Sequence, residues 1–426
     1  MAQRIVIVGG GFAGLNLAGS LAKNKNFDIT LVDKNNYNFF PPLIYQVSTG
    51  FLDPSSISYP FRNLFLNKKN VHFFMGELLH IASAKSKIIL DSGELEYDKL
   101  IIATGTKTNY FGLENLQKHA IPMKTLEDAL NMRNLLLQRL EKATKIKDSS
   151  MRLPWITMVI AGGGPTGVEI SGIFAELRNR RIREEFPELV GAGGRIYLVN
   201  GGNELLSPMS EKSQKYTLEK LQKMGVEVML NTRVVDYDGE KVVMKDGSHI
   251  YSKNLIWATG VTASRFDGLP EESYGHSNRL KVDAHNKVEG TTNIYAVGDT
   301  CIQTCDADYP LGHPQLAQVA IQQGKNLAKN LKNELENKPQ KPFKYKDKGS
   351  LAIIGGNKAV ADLPKLHFNG LTAWFIWVFV HLFGLINYRN RWRTFYNWSL
   401  DYFSDNQDLR LILRPDRRKS PKKDEV

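Results

Sequence analysis

The sequence predicts an α/β protein in which one parallel-sheet unit occurs twice. An apolar run from Ile5 to Val8 is typical of a buried strand, and glycines with the spacing G-x-G-x-x-G follow it at once. A second apolar run, Trp155 to Ala161, is followed by the same spacing, and each copy later closes with an apolar strand ending in Ala-Thr-Gly. Together these features predict two Rossmann-like dinucleotide-binding domains. The motif residues are Gly9, Gly11, Gly14, Ala103, Thr104 and Gly105 in the first copy and Gly162, Gly164, Gly167, Ala258, Thr259 and Gly260 in the second.

The glycine turn explains how each domain would hold a dinucleotide. The first glycine allows a tight turn, the second lets the backbone approach a pyrophosphate, and the third lets the helix pack closely on the strand. The phosphates would then lie at the helix N-terminus, where free N–H groups and the helix dipole favour an anion. In the first copy the next strand, Asp28 to Val32, ends at Asp33, at about the 20-residue separation that is typical of an acid binding a ribose hydroxyl.

The corresponding position of the second copy is an anomaly. The strand Arg195 to Val199 ends at Asn200, where an acid would normally select a cofactor that lacks a 2′-phosphate. Asparagine still hydrogen-bonds a ribose hydroxyl but does not repel a phosphate, and no arginine follows at once to bind one. NADH alone, or NADH with some tolerance of NADPH, therefore both remain open.

The composition limits the classes of protein. A chain of 426 residues is expected to form more than one domain. The two cysteines, Cys301 and Cys305, exclude a disulfide framework and indicate a reducing compartment, and the lack of a cysteine pair before Ala103 excludes a redox dithiol on the first domain. With His313 these cysteines supply too few ligands for a structural zinc site, so we expect no metal. The formal charge of +12 points to an anionic partner surface.

The elements between the motifs are predicted from turn and cap signals. Two adjacent prolines forbid a helix before Leu43, so we expect a loop that becomes helical from that residue. A capping box, Thr125 to Asp128, starts a helix that extends to Ile146. Hairpin turns are predicted at residues 91–94 and 246–248, and the first domain boundary is placed near Pro122.

A third strand signal, Thr292 to Val297, ends in Gly298 and Asp299. With the two glycine fingerprints and the two Ala-Thr-Gly closures, it resembles the two-dinucleotide-binding-domain flavoproteins over residues 1 to about 340. The resemblance implies that the first domain binds FAD, that the second binds NAD(P)H, and that Asp299 meets the ribityl chain of the flavin. It also implies that the second domain is inserted in the first, with the chain returning near Asn293.

The next helix, whose first turn is expected to be set by prolines, carries the run Ala317-Gln318-x-Ala320-x-Gln322 with both glutamines on one face. This run, the loop containing Gln46 and the Gly-Val-Glu ending at Glu169 resemble the type II NADH dehydrogenases, which are single-subunit NADH:quinone oxidoreductases. The resemblance implies that Gln318 and Gln322 pass the flavin ring beside a quinone pocket. It also implies that Gln46 contacts the cofactor region and that Glu169 lies near the nicotinamide and the flavin and handles protons. From the residues alone, solvated glutamines and an acid that stabilises a helix N-terminus explain the same pattern.

The C-terminal part contains two apolar segments. The first, Leu371 to Ile386, would reach about 24 Å as a helix of 16 residues, which is too short to span a bilayer core of about 30 Å. The second is amphipathic, with aromatic residues on one face and arginines beside them, as in an interfacial helix. A dimer interface or a core explains the same pattern, and the family resemblance favours the membrane surface. The aromatic residues are Tyr388, Trp392, Phe395 and Tyr396, the basic tail is residues 417–423, and Lys358 in the turn of residues 355–358 is a candidate for quinone contact.

We therefore interpret the chain as an oxidoreductase that passes a hydride from NADH to FAD and then two electrons to a membrane quinone, without pumping protons. It is expected to lie as a peripheral homodimer on the cytoplasmic face of the cell membrane, with no nucleic-acid partner. A soluble NAD(P)H-dependent ferredoxin reductase and a slow-turnover redox-signalling flavoprotein are the alternatives. The predicted domains are an FAD-binding domain in two parts, residues 1–122 and 291–345, an NAD(P)H-binding domain, residues 123–290, and a C-terminal α+β membrane-anchoring region, residues 346–426.

Overall fold

The computed structural model describes residues 2–404 and 410–413 of the chain. Packing divides it into two compact units, each built from three segments. The first unit comprises Met1–Phe39, Ser58–Asn109 and Val261–Lys348, and the second comprises Phe40–Ile57, Tyr110–Gly260 and Gly349–Val426. The predicted basic tail, residues 417–423, lies outside the described residues.

Strands and helices alternate along most of the described chain. The strands are β1 (Gln3–Val8), β2 (Phe27–Asp33), β3 (Tyr37–Phe39), β4 (Ser58–Pro60), β5 (Val71–Met75), β6 (Leu78–Ala82), β7 (Lys87–Leu90), β8 (Gly93–Glu96), β9 (Lys99–Ile102), β10 (Thr106–Thr108), β11 (Ile121–Pro122), β12 (Met158–Ala161), β13 (Ile196–Val199), β14 (Val226–Met229), β15 (Val234–Tyr237), β16 (Lys241–Met244), β17 (His249–Tyr251), β18 (Asn254–Trp257), β19 (Val261–Ala263), β20 (Leu280–Lys281), β21 (Ile294–Ala296), β22 (Cys301–Ile302), β23 (Ser350–Gly355), β24 (Lys358–Leu363) and β25 (Leu366–Asn369). The α-helices are α1 (Phe12–Leu21), α2 (Ile44–Ser48), α3 (Pro54–Ile57), α4 (Phe61–Leu64), α5 (Glu114–His119), α6 (Leu126–Thr144), α7 (Ser149–Ile156), α8 (Pro165–Asn179), α9 (Arg181–Glu185), α10 (Glu211–Lys223), α11 (Ala317–Leu335), α12 (Gly370–Gly384) and α13 (Tyr388–Ser404). Short 3₁₀ helices lie at Pro41–Leu43, Ser83–Lys85, Pro187–Leu189, Glu271–Ser273, His276–Asn278 and Gly298–Thr300.

The first unit is built on a parallel sheet with the strand order β21-β9-β1-β2-β5. Strand β21 pairs with β9 although the second glycine motif separates them in sequence, so the chain returns to its first sheet after an insertion, as predicted. Helices α1 and α11 pack on this sheet and against each other. At Gly324 of α11 a Cβ atom would lie 2.5 Å from the carbonyl oxygen of Ala13, which explains the glycine at this helix crossing.

The second unit contains the corresponding parallel sheet, with the strand order β11-β18-β12-β13-β14. Helix α8 follows β12 and packs on the antiparallel sheet β23-β24-β25. Helices α12 and α13 follow this sheet along the chain. A Cβ atom at Gly172 of α8 would lie 1.8 Å from the carbonyl oxygen of Ile354 in β23, so helix and strand touch backbone to backbone. The fold class predicted from the sequence is therefore confirmed, including the C-terminal α+β region.

The local signals identify most elements correctly. The capping box at Thr125 is present, with its hydroxyl accepting from the backbone N–H of Asp128 at 3.1 Å, and both predicted hairpins form. Three boundaries were predicted wrongly. Trp155 and Ile156, predicted to open a strand, end α7, and β12 begins only at Met158. The two prolines expected in a loop form the 3₁₀ helix Pro41–Leu43, since proline is tolerated in a first helical turn. Helix α11 begins at Ala317 and not at the prolines before it. The preceding Leu316 has an extended backbone, with φ −124° and ψ 147°.

Helix α13 is oriented with its aromatic face outward. Tyr388, Trp392 and Tyr396 are 75%, 70% and 61% exposed, whereas Asn390 and Thr394 on the other side are 5% and 0% exposed. The helix therefore packs through its polar side and leaves its aromatic side uncovered in the chain. Among the described residues, no helix has both the length and the apolar character needed to cross a membrane.

Candidate functional site

The glycine turn of the first unit leaves no room for a side chain at two of its three motif glycines. Gly9 has φ +108°, and a Cβ atom there would lie 2.3 Å from the carbonyl oxygen of Ala103. A Cβ atom at Gly14 would lie 1.9 Å from the carbonyl oxygen of Gly9, so α1 lies directly on the turn. By contrast, nothing lies within 4 Å of the Cβ position at Gly11. The turn is thus closed toward the sheet and open where a pyrophosphate would approach the first turn of α1.

The second unit repeats this geometry closely. Gly162 has φ +120° and a Cβ atom there would lie 2.6 Å from the carbonyl oxygen of Ala258. A Cβ atom at Gly167 would lie 1.8 Å from the carbonyl oxygen of Gly162, while the position at Gly164 is open. Both copies therefore have the cradle that a dinucleotide needs, and the Ala-Thr-Gly closures form its wall.

Asp33 and Asn200 occupy equivalent places. Oδ2 of Asp33 accepts a hydrogen bond from the backbone N–H of Gly10 at 2.7 Å, and Oδ1 of Asn200 accepts one from Gly163 at 3.1 Å. Burial raises the pKa of Asp33 above its ordinary value. Nδ2 of Asn200 donates to the carbonyl oxygen of Glu204 at 2.8 Å. Since a neutral acceptor is enough to close the glycine loop, asparagine replaces an acid here without changing the turn.

The loop that follows β21 brings Gly298 and Asp299 to the edge of the first sheet. Gly298 has φ +78°, and its backbone N–H donates to Oε1 of Gln323 at 2.7 Å. Nε2 of Gln315 donates to the carbonyl oxygen of Asp299 at 3.0 Å. Sequence reasoning missed both glutamines. The signal for Gln323 is its position, one residue beyond Gln322 and on the apolar side of α11, where it is 2% exposed.

These residues of the first unit fit FAD. The open Gly11 position and the N-terminus of α1 suit a pyrophosphate, Asp33 suits a ribose, and Asp299 lies on a loop whose backbone is held by two buried or partly buried glutamines.

Gln318 and Gln322 are half-buried on one side of α11, and their amide groups bind a neighbouring backbone segment. Nε2 of Gln322 donates to the carbonyl oxygen of Lys346 at 2.9 Å, and Oε1 accepts from the N–H of the same residue at 3.1 Å. Oε1 of Gln318 accepts from the N–H of Lys348 at 3.1 Å. The two side chains thus act like strand partners of residues 346–348. Their predicted place beside a quinone stays a prediction.

Glu169 lies on α8 in the second unit and is 9% exposed. Burial raises the pKa of its carboxyl group to about 8. A hydrogen bond from the backbone of Ile353 lowers the pKa but does not cancel the effect of burial. Because no acid lies in the first turn of α8, burial and not the helix N-terminus determines the state of this group. A carboxyl group of this kind holds a proton at neutral pH and can release it to an acceptor.

A chain of hydrogen bonds lies close to this acid within the second unit. Nε2 of Gln46 donates to the hydroxyl group of Tyr45 at 3.1 Å, and Oε1 of Gln46 accepts from Nε1 of Trp398 at 2.8 Å. Tyr45 is 1% exposed, and burial raises the pKa of its hydroxyl group, with a smaller contribution from the charge of Glu169. The predicted residue Gln46 is therefore fixed by two aromatic side chains, one of which comes from α13.

Lys358 is placed beside a second acid of α8. Its Nζ lies 4.0 Å from Oε1 of Glu176, which also accepts from the backbone N–H of Gly356 at 2.6 Å. Burial raises the pKa of Glu176. The turn of residues 355–358 is therefore attached to α8, and the quinone contact predicted for Lys358 stays a prediction.

The two cysteines are far from equivalent. Cys301 is buried, donates to the carbonyl oxygen of Gly298 at 3.3 Å, and has a pKa raised by burial to about 12, whereas Cys305 is exposed. His313 binds Asp306 and neither thiol, with 3.0 Å between Nε2 and Oδ2. Within residues 2–404 and 410–413, no three histidine, cysteine or acidic side chains are grouped to hold a metal ion.

The chain resembles known proteins along almost its whole length. It matches the family model of the pyridine nucleotide-disulphide oxidoreductases over residues 3–324 and that of the NDH2 C-terminal domain over residues 348–404. It is 33% identical over 417 residues to a type II NADH:quinone oxidoreductase of Mycobacterium tuberculosis, covering 94% of this chain and 88% of that one. It is also 26% identical over 445 residues to an internal alternative NAD(P)H-ubiquinone oxidoreductase of Arabidopsis thaliana, covering 96% and 86%.

The fold matches that of a solved structure, NDH2 from Plasmodium falciparum in complex with NADH. The TM-score is 0.87 at 24% sequence identity, and the match covers 97% of this chain and 100% of that one. These findings confirm the predicted family, the fold class and the NADH:quinone oxidoreductase activity with FAD and NADH as cofactors. The chain therefore belongs to the type II NADH:quinone oxidoreductases, within the pyridine nucleotide-disulphide oxidoreductase family.

Proposed function

We propose that this chain oxidises NADH and reduces a lipid quinone at a membrane surface, with each step assigned to particular residues. FAD is assigned to residues 1–122 and 291–345, NADH to residues 123–290 and membrane association to residues 346–426. The observation that carries the proposal is the combination of two complete glycine turns with uncovered aromatic and aliphatic side chains on α12 and α13.

The chain's own residues position the cofactors and handle a proton. FAD, when bound, supplies the carrier that accepts a hydride and later gives up two electrons. The turns at Gly9 and Gly162 would hold the two pyrophosphates by backbone N–H groups, and Asp33, Asn200 and Asp299 would bind sugar or ribityl hydroxyls. Glu169 keeps a proton on its carboxyl group up to a pH of about 8 and is the proposed donor when the quinone is reduced.

Gln318 and Gln322 are the proposed quinone-side residues. Both are half-buried on the same side of α11, and both bind the backbone of residues 346–348 along that helix. We place both residues at the edge of the quinone site. There they would fix residues 346–348, which a quinone head group would contact. Gln46, fixed by Tyr45 and Trp398, is assigned to the cofactor region.

Membrane association is assigned to the outward sides of α12 and α13. Aromatic and aliphatic side chains at this surface suit the headgroup region of a bilayer, and the exposed Arg389 and Arg393 beside them suit anionic lipid. We propose a peripheral homodimer on the cytoplasmic face, which accords with the few cysteines, and no nucleic-acid partner. The uncovered side chains are Leu371, Phe375, Phe379, Val380, Phe383, Ile386, Tyr388, Trp392, Phe395 and Tyr396.

The test is stopped-flow absorbance of the flavin in the purified, FAD-loaded chain. NADH should bleach the flavin anaerobically, and mixing with a short-chain quinone should restore its absorbance rapidly. Repeating the first step with NADPH measures the selectivity set at Asn200. Fast bleaching followed by slow recovery with quinone, but fast recovery with a ferredoxin, would instead indicate a ferredoxin reductase. Slow recovery with both acceptors would indicate a signalling flavoprotein.

A further inference from the structure

The loop after β13 is the place where the second unit would meet the ribose next to the adenine of its dinucleotide. Asn200 follows the strand directly, and Gly201 and Gly202 come next. The amide group of Asn200 lies over the glycine turn, since a Cβ atom at Gly163 would lie 2.6 Å from Cγ of Asn200. In dinucleotide-binding domains the residue at this position binds the 2′-hydroxyl group of that ribose. The groups beside Asn200 therefore decide whether a 2′-phosphate is accepted.

A segment that is distant in sequence lies along this loop. The backbone N–H of Thr232 donates to the carbonyl oxygen of Asn200 at 2.9 Å. The N–H of Asn231 donates to the carbonyl oxygen of Gly202, also at 2.9 Å. Asn231 has φ +53°, a left-handed conformation that asparagine adopts more readily than most residues. These two hydrogen bonds fix the next residue, Arg233, beside the loop.

The side chain of Arg233 crosses the loop at Gly201. A Cβ atom at Gly201 would lie 2.9 Å from both Cγ and Nε of Arg233, so the arginine occupies the space that a larger residue would need. Arg233 is exposed, and its guanidinium group forms no ion pair with an acid of residues 2–404 or 410–413. No arginine follows Asn200 directly in the sequence, but the fold brings one to its neighbour from the segment before β15.

Asn200 supports this arrangement through its amide group. Nδ2 donates to the carbonyl oxygen of Glu204 at 2.8 Å, while Oδ1 accepts from the backbone N–H of Gly163 at 3.1 Å. An aspartate could not donate the first of these hydrogen bonds, and its charge would repel a phosphate group. Asparagine thus holds the loop and adds no negative charge beside Arg233.

A phosphate group is the chemical partner that suits an arginine in this place. Guanidinium groups bind phosphate oxygens with two parallel hydrogen bonds, and the opposite charges strengthen both. In dinucleotide-binding domains an arginine near the ribose accommodates the 2′-phosphate that distinguishes NADPH from NADH. Both features of such a site, a neutral residue at the ribose and an arginine beside it, are present here.

We propose that Arg233 binds the 2′-phosphate of NADPH, so that the second unit takes NADPH as well as NADH. The proposal rests on the function proposed above, because it assumes that residues 123–290 bind the nicotinamide dinucleotide. Arg233 acts on the adenine half of the dinucleotide, whereas the hydride leaves from the nicotinamide half. It therefore determines which dinucleotide binds and does not take part in the hydride transfer.

The experiment measures binding to the FAD-loaded full chain by isothermal titration calorimetry. The probes are adenosine 2′,5′-bisphosphate and 5′-AMP, which differ only in the 2′-phosphate, and wild type should bind the bisphosphate more tightly. Arg233→Met should weaken bisphosphate binding by about tenfold or more, because a charge-assisted pair is lost, and should change AMP binding far less. Arg195→Met is the matched control, since Arg195 is exposed at the opposite end of β13, and it should change neither affinity.

Two results overturn the proposal. One is a wild-type chain that binds the bisphosphate no more tightly than AMP. The other is an equal effect of Arg233→Met on both probes, since this assigns Arg233 to packing of the loop alone. If Arg233→Met does not fold, Arg233→Lys keeps the charge without the planar fork and must bind the bisphosphate more weakly than wild type.

The calorimetry involves no quinone, so the two proposals can fail separately. Slow reoxidation of the flavin by quinone, together with tight bisphosphate binding, would contradict the proposed function and support the role of Arg233. Rapid turnover of NADH and quinone without preference for the bisphosphate would contradict the role of Arg233 alone.

Discussion

The buried carboxyl group of Glu169 on α8 predicts a pH dependence of stability that can be measured. Its pKa rises from 4.5 to about 8 on folding, so the folded chain keeps a proton that the unfolded chain releases between these pH values. The stability contributed by the protonated group is therefore full below pH 4.5 and declines through this window, levelling off above pH 8. At about 1.4 kcal/mol for each pH unit, the whole window amounts to about 5 kcal/mol.

The variant Glu169→Gln removes this titration and keeps the size of the side chain. Between pH 6 and pH 8 the wild type should lose about 2 kcal/mol of unfolding free energy that the variant keeps. The difference, variant minus wild type, should therefore rise by that amount. Chemical denaturation followed by tryptophan fluorescence, at constant FAD, measures the difference at each pH. The exposed Glu219→Gln on α10 is the control and should show no such slope. Parallel pH profiles for wild type and Glu169→Gln would refute the argument that burial governs this carboxyl group.

Three further predictions concern the turns, the uncovered surface and the cofactor. Gly14→Ala should yield protein without flavin absorbance near neutral pH, because its Cβ would lie 1.9 Å from a carbonyl oxygen, while Gly19→Ala on the same helix, with open space at its Cβ, should keep FAD. Phe379→Ser should reduce co-sedimentation with anionic vesicles at unchanged FAD content, and Leu79→Ser should not, although Leu79 in the first unit is also exposed, at 53% against 62% for Phe379; equal losses would contradict the assignment of α12. Asn200→Asp should lower the rate of flavin reduction by NADPH relative to NADH by about tenfold, since a carboxylate repels the 2′-phosphate, and an unchanged ratio would exclude this residue from the ribose site.

The sequence predicts best what the backbone itself requires. The glycine turns at Gly9 and Gly162 were recognisable because left-handed backbone and contact with a carbonyl oxygen leave no room for another residue. The capping box at Thr125 was recognisable for a similar reason, since both of its hydrogen bonds lie within four residues. Local geometry of this kind depends only on residues that are close together in the sequence.

Contacts between distant segments are harder to predict. Nothing near Gln322 indicates that its amide group would pair with Lys346, which lies 24 residues away in a segment without regular structure. Burial of Arg133 depends on α2, α8 and α9 closing over α6, and an arginine on a helix is ordinarily expected in solvent. The raised pKa of Glu169 likewise depends on burial, and α8 packs against β23, which lies far along the chain.

The contact between Gly172 and Ile354 has a consequence for how this protein could be recombined with its relatives. Helix α8 and strand β23 meet backbone to backbone at Gly172 and Ile354, and a Cβ atom at Gly355 would lie 2.6 Å from Oε1 of Glu176. A C-terminal region transplanted from another chain would need an equally bare strand at this place, and a host would need the same glycine on its helix. The C-terminal sheet is thus not an interchangeable module, and successful chimaeras should exchange it together with α8.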